Sequence, residues 1–353
     1  MKSHAIVNAL FLVLACCEAF AGAAEPDASR IRLAVERSLS LLERTSATTA
    51  EMRTCFTCHG QAHPVFAMVE AKRRGIHINP ENLERQVEHT YSHLSRGKDQ
   101  YEAGKGQGGQ VDTAGYALWT LEDGDRDPDE VTDAVVDYLL KKQDSMGNWA
   151  RTSNRPPTEA SSFTSTYLAL RALSAFGRET HQARIEDASS RAGQWLAGSS
   201  PLDTEDSVFQ LLSFDYVNVQ HDVPVEAIEA LIQQQRSDGG WAQLASMESD
   251  AYATATVLYA LHRSGIPTGD DAWTRGLKYL LETQQQDGSW HVATRSKPFQ
   301  KYFESGFPHG ADQFISTSAT AWATLALLFA LPEQPDLKVD APEATATLTH
   351  VSD

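Results

Sequence analysis

The chain has 353 residues, 41% of them hydrophobic, with 30 Lys and Arg against 47 Asp and Glu for a formal net charge of −17. That length allows one large domain or two ordinary ones, with apolar content enough for a real core. The acidic balance argues against a nucleic-acid partner, which wants a basic face, and disfavours docking on anionic lipid; it suits a basic protein partner such as another redox protein, or plain solubility.

Residues 1–24 read as a secretion signal: Lys2 makes a weakly positive start, Ala5 to Cys17 is an apolar run too short to span a bilayer, and Ala21-Gly22-Ala23 offers small residues for cleavage. The implied location is periplasmic or secreted. A competing reading takes Val13-Leu14-Ala15-Cys16 as a lipoprotein box with Cys16 lipidated, although Leu14 suits such a box poorly. After cleavage at the small residues only Cys55 and Cys58 remain, so no disulfide network can form and both thiols are open to a cofactor.

A first polar-faced helix is expected at about 29–46, and behind it stands Cys55-Phe56-Thr57-Cys58-His59. Cys-x-x-Cys-His is the attachment pattern for c-type haem. The two thiols add to the two vinyl groups of the porphyrin, and His59 falls beneath the ring as an axial iron ligand. The plain alternatives are a chance match, a reducible disulfide pair or half of a zinc site. The cofactor expected is one covalent haem c. An inner helix follows at about 63–74, then an outer one at 80–96. Candidate distal ligands along this stretch are His63, Met68, His77, His89 and His93. His63 is too close to His59 to reach the opposite ring face, and Met68 suits a core. His89 and His93, four residues apart, share a helix face that could bind metal or simply face solvent.

Further on, the chain repeats itself. Leu140-Lys-Lys-Gln143 with Gly147-Asn148-Trp149 matches Ile232-Gln-Gln-Gln235 with Gly239-Gly240-Trp241, and Leu281-Glu-Thr-Gln284 with Gly288-Ser289-Trp290. The first gap is nearly twice the second, so a degenerate unit is expected there, and Ala192-Gly-Gln194-Trp195-Leu196 followed by Pro201 fits. Repeats of this length signal a stacked helical array. In each unit a polar-faced helix ends in a Gln- and Gly-rich turn with a Trp, and a more apolar helix rich in small residues follows. The glycines accept the positive φ of a helix end. The Trp and Gln are placed to satisfy backbone groups of the loop. The outer helices are expected at about 29–46, 80–96, 128–142, 182–197, 223–235 and 270–284, and the inner ones at 63–74, 111–122, 161–177, 204–216, 250–264 and 314–330. Six and six close one all-α (α/α)6 toroid, a single domain over 25–331. The apolar run Ala321 to Leu331 is about half a membrane span and reads as its last core helix, so no transmembrane helix is expected in the mature chain. The tail 332–353, with Pro332, Pro335 and Pro342, reads as disordered.

The Gln-x-x-x-Gly-x-Trp repeats over roughly 110–331 resemble the repeats of the squalene-hopene cyclase and prenyltransferase superfamily. The whole chain more closely resembles secreted bacterial squalene-cyclase-like toroid proteins with a Cys-x-x-Cys-His motif near the N-terminus. The resemblance implies fold more than activity. Cyclases of this kind protonate an alkene with an Asp in an Asp-x-Asp-Asp motif. The match is Glu248-Ser249-Asp250-Ala251, which gives Asp250 the proton donor's place but puts Ala251 where the last Asp belongs. Asp250 is equally suited to cap an inner helix. A prenyltransferase-like zinc site lacks its late cysteine.

In such a toroid the inner helices run the same way, so their N-termini and the loops entering them share one face. That face receives Cys55–His59, Asp112, the 149–162 loop, Asp203 to Asp206, Glu248–Tyr252 and the long 291–313 loop. This last loop is dense in chemistry, with His291, Arg295, Lys297, Lys301, Phe303, Phe307, His309 and Asp312, and loops of that length inside a domain are usually functional. The expectation is that it covers the haem, with Arg295 on a propionate and His309 as distal ligand or acid–base. The function expected is electron transfer or haem redox chemistry, with an apolar molecule in the barrel as a candidate substrate. The alternatives are a terpenoid isomerase with Asp250 as proton donor, and a non-catalytic binding scaffold.

Overall fold

A computed structural model of the chain describes residues 27–297 and 302–333. The leader read at 1–24, the Cys16 box, Lys301 and nearly all of the tail lie outside the described residues. Thirteen α-helices follow one another among the described residues. The outer set is α1 (Ala28–Met52), α3 (Pro80–Arg96), α6 (Glu130–Lys142), α8 (Gln182–Gly198), α10 (Asp222–Gln233) and α12 (Asp271–Thr283). The inner set is α2 (His63–Arg73), α5 (Gln110–Asp123), α7 (Ser162–Phe176), α9 (Thr204–Ser213), α11 (Ala251–Arg263) and α13 (Gln313–Phe329), and the five-residue α4 (Lys98–Glu102) lies between α3 and α5. Each inner helix packs on the next and α13 returns to α2, so the ring closes as one α/α toroid. Among the described residues β-structure amounts to two isolated bridges.

The inner helices are buried on most sides, and their composition explains how. Small Ala, Ser and Thr side chains let neighbouring helices approach. Their hydroxyls satisfy themselves on the carbonyl one turn back, as Thr120 does on Tyr116, Thr256 on Tyr252 and Thr324 on Thr320, at 2.7 to 2.9 Å. A buried polar group that is already bonded carries little desolvation cost. The same device carries α1 to Met52, past the expected end near 46: Thr45 and Thr49 bond back to Leu41 and Thr45. At the other extreme α9 stops at Ser213, and Phe214–Tyr216 forms a 3-10 turn where helix was expected.

The three repeats do the same work at three corners. The indole N–H donates to the carbonyl ten residues earlier: Trp149 to Leu139, Trp241 to Leu231, Trp290 to Leu280. Each Gln amide bonds two carbonyls, one in its own turn and one in the next outer helix. Gln143 reaches Gly147 and Ala188, and Gln235 reaches Gly239 and Ala272. Gln284 reaches Gly288 and, across the ring closure, Ala34 of α1. Gly147, Gly239 and Gly288 all have φ near +90°, and a Cβ at Gly239 would stand 2.6 Å from the Arg275 carbonyl oxygen, so only glycine serves there. The degenerate unit is held otherwise: Trp195 packs its ring on Phe163, and Gln210 of α9 bonds the carbonyls of Leu196 and Ser199. Replacing Gln235 by Ala should therefore orphan the Gly239 carbonyl, remove a second bond from the helical Ala272 carbonyl, and cost about 1–3 kcal/mol in denaturant unfolding.

Candidate functional site

The Cys55–His59 segment leads into the barrel at the N-terminal end of α2. It forms a single π-turn over Cys58–Ala62, which ends in the first residue of α2. This turn is held from α3. Gln61 accepts from the Thr57 N–H at 3.0 Å and donates to His89 Nδ1 at 2.8 Å, and His89 Nε2 in turn donates to the Arg53 carbonyl at 2.8 Å. Arg96 donates to the Thr54 carbonyl. Gly60 lets α1 come close, because a Cβ there would sit 2.8 Å from Thr57 Oγ1 and 3.1 Å from Thr49. His89, a candidate metal ligand by sequence, spends both ring nitrogens as a brace. His93 stacks on Phe56 and is kept neutral by burial, its pKa pushed down to about 4.

Cys55 and Cys58 carry free thiols, the first exposed and the second buried. Cys58 Sγ donates to Glu159 Oε1 at 3.4 Å, and burial pushes its pKa up to about 11, so the thiol stays protonated at neutral pH. Glu159 is itself ion-paired with Arg155 and accepts from Ser153. The His59 ring lies against Phe314 of α13 at 4.6 Å. Burial, then the charges of Arg155 and Arg53, push its pKa down to about 4, so the imidazole is neutral. Its Nδ1 makes only a 3.9 Å contact to Cys58 Sγ, and its Nε2 takes no hydrogen bond from the described residues.

The long loop does reach this mouth. Phe303 lies tilted against Phe314 at 6.0 Å, Arg53 stands 4.2 Å over the Phe303 ring, and Gln313 pins the loop by donating to the Phe303 carbonyl and accepting from the Ser305 N–H. The structure does not bring the two loop residues singled out by sequence to the same place. Arg295 donates to Gln243, which donates to Asp250 Oδ2 at 3.0 Å, so Arg295 serves the start of α11 and not the Cys55–His59 turn. His309, at a left-handed φ of 80°, donates from Nε2 to Ser289 and lies tilted against the His291 ring at 4.7 Å, on the corner of the third repeat. Its hydrogen bonds and ring contacts join it to no residue of the Cys55–His59 turn. Each side chain is thus bonded within a corner loop, and Ser296, next to Arg295, donates to the Pro156 carbonyl.

Asp250 caps α11 as its N-cap: Oδ1 accepts from the Ala253 N–H at 3.0 Å. Burial raises its pKa, with the Ala253 and Gln243 bonds pulling the other way. Sequence reasoning placed Asp112 and Glu205 on the right face but did not show their depth. Glu205 is buried, accepts from Thr164 at 2.9 Å and from the Tyr252 hydroxyl at 3.0 Å, and burial raises its pKa well above the carboxylate range. Asp112 accepts from Ser165 and is pushed up to about 6 by burial. The folded state holds this proton more tightly than the unfolded chain, so the group's contribution is most favourable below about pH 4 and is lost as pH rises through about 6. Asp112→Asn removes that loss. Relative to wild type, the variant should gain about 2 kcal/mol between pH 4 and pH 7, measured by urea unfolding across the range.

A family model described as the squalene-hopene cyclase C-terminal domain matches residues 196–338. Squalene–hopene cyclase from Bradyrhizobium diazoefficiens is 30% identical over 131 residues, 31% of this chain and 19% of that one. Labda-7,13-dienyl diphosphate synthase from Streptomyces clavuligerus is 40% identical over 62 residues, 18% of this chain and 11% of that one. The chain thus spans a fifth or less of the length of these relatives. Among solved structures, type II terpene cyclase MstE from Scytonema, in complex with merosterolic acid A, superposes with a TM-score of 0.51 at 16% identity, covering 86% of this chain and 99% of that one. Helix order, ring closure, repeat corners and these likenesses converge: the chain has a squalene–hopene cyclase-like α/α toroid fold.

Proposed function

We propose that this protein carries one covalent c-type haem at the N-terminal mouth of its toroid and works in electron transfer or haem-based redox chemistry. The observation that carries the reading is the donor set: two free thiols at Cys55 and Cys58, beside a neutral His59 imidazole whose Nε2 no described residue binds. These residues fit the group. Cys55 and Cys58 would hold it through thioethers and His59 would ligate its iron, and when bound it supplies one-electron redox chemistry. The chain's own residues do the rest. Gln61, His89 and Arg96 fix the turn, burial keeps the imidazole unprotonated for ligation, and Arg53 and Arg155 place positive charge beside His59 where carboxylates of the group can be met. Export through the leader read at 1–24 and a basic redox-protein partner for the acidic surface belong to the same proposal. Intact-mass measurement of protein made in a host that matures c-type cytochromes tests it. One haem added to the wild type and none to a Cys55→Ser/Cys58→Ser variant supports it; an unmodified wild type overturns it.

A second reading is favoured by the family match over 196–338, which spans Asp250: an acid acting on a polyprenyl alkene. Burial raises Asp250, and Glu205 and Tyr252 stand nearby in support. Against it, both Asp250 oxygens already accept hydrogen bonds, and the hollow between Pro157, Glu205, Gln243 and Tyr252 has no room for a water. Product analysis with squalene, comparing wild type with Asp250→Asn, separates the two. The haem reading expects no cyclised product, and an Asp250-dependent product would install the second reading.

A further inference from the structure

At the opposite mouth, where the inner helices end, the bore opens into a cavity of about 280 Å3. Its floor is aromatic: Phe66 stacks on Trp119 with ring centroids 4.0 Å apart, and Tyr259 and Phe329 form the wall. Four arginines line it, and they fall into two classes. Arg74 and Arg171 are committed to the fold. Arg74 donates to Glu70 at 2.7 Å and stands over Phe329, while Arg171 donates to Glu122 at 2.8 Å and stands 4.2 Å over Trp119. Asp123 is paired with Arg171 at 3.5 Å. A cationic guest therefore meets wall carboxylates that are already paired, and guanidiniums already lie over two of the aromatic rings.

Arg73 and Arg263 differ. Their side chains are 59% and 48% exposed, and their nearest carboxylates, Glu70 and Asp215, stand at 3.6 and 3.7 Å, beyond hydrogen-bond length. Neither makes a hydrogen bond to the described residues. Each offers a planar fork of N–H donors shaped for an oxyanion, at the edge of a mostly polar hollow with aromatic walls. We propose that this cavity binds a small organic anion, with one carboxylate or phosphate head on Arg73 and Arg263 and its body in the mostly polar hollow, against the edges of the aromatic side chains that line it. The site lies at the far end of the barrel from Cys55–His59 and is independent of the haem.

Calorimetric titration of the full chain with three naphthalene probes tests this: 1-naphthaleneacetate, 1-naphthyl phosphate and the neutral 1-naphthaleneacetamide. At least one anion should bind with a Kd below about 1 mM, about tenfold or more tighter than the amide. Which anion is tighter tells carboxylate from phosphate. Arg73→Gln/Arg263→Gln should remove that advantage about tenfold or more while the thermal midpoint stays put, since both side chains are exposed. Equal binding of acid and amide, no anion binding below about 1 mM, or unchanged anion binding in a folded double variant would each overturn the proposal. The wild-type comparison decides it even if the variant fails to fold.

Discussion

Trp241→Ala should cost about 4 kcal/mol or more in denaturant unfolding. The ring is fully buried, so its removal leaves a cavity where the repeat corner meets the core. Its N–H also serves the Leu231 carbonyl at 2.7 Å, which then keeps only the Gln234 N–H at 3.2 Å. Domains of this kind hold only about 5–15 kcal/mol in total, so the variant should unfold at markedly lower urea and accumulate poorly. Trp195→Ala is the control. That ring is only half-buried and bonds no carbonyl, so about 1–2 kcal/mol is expected. Equal losses at the two positions would show that the indole–carbonyl bond is not what holds the corners.

His59→Ala and His309→Ala should differ sharply in their visible spectra. His59 is the one imidazole of the Cys55–His59 turn, held neutral against Phe314. Removing it takes away the proposed axial ligand, and the spectrum should change its spin-state signature with a large fall in the yield of pigmented protein. His309 is occupied with Ser289 and His291 at the corner of the third repeat, so its replacement should leave the spectrum as it was. A His309→Ala spectrum that departs from wild type while His59→Ala does not would reverse the assignment.

The toroid was legible because its repeat is made of local rules. Gln, Gly and Trp recur at fixed offsets since each satisfies or permits one backbone feature of one corner, and those offsets survive in the chain. The shared mouth was legible too, because parallel inner helices put their N-termini on one face. What meets what on that face was not. Arg295 reaching Gln243, and His309 reaching Ser289, are contacts set by how separate corner loops pack, and no spacing encodes them. The depth of Glu205 was hidden for the same reason: its tyrosine partner, Tyr252, lies on the next inner helix. The far cavity had no motif at all. Arg73, Arg171 and Arg263 sit near the ends of three helices distant in sequence, and only ring closure brings them to one rim. The degenerate unit at Trp195 kept its aromatic residue but handed its carbonyl work to Gln210.

A cyclase-like barrel supplies a rigid frame, and such frames host unrelated chemistries. Here the frame presents a braced turn with two free thiols and a neutral imidazole at one mouth, while Asp250 is spent as a helix cap. The most direct measurement of this account is a haem stain of the protein after denaturation and stripping of non-covalent pigment, made in a host that matures c-type cytochromes. Haem held by Cys55 and Cys58 gives a stained band at the mass of this protein, absent from Cys55→Ser/Cys58→Ser. A colourless wild-type band beside a stained control cytochrome would contradict it.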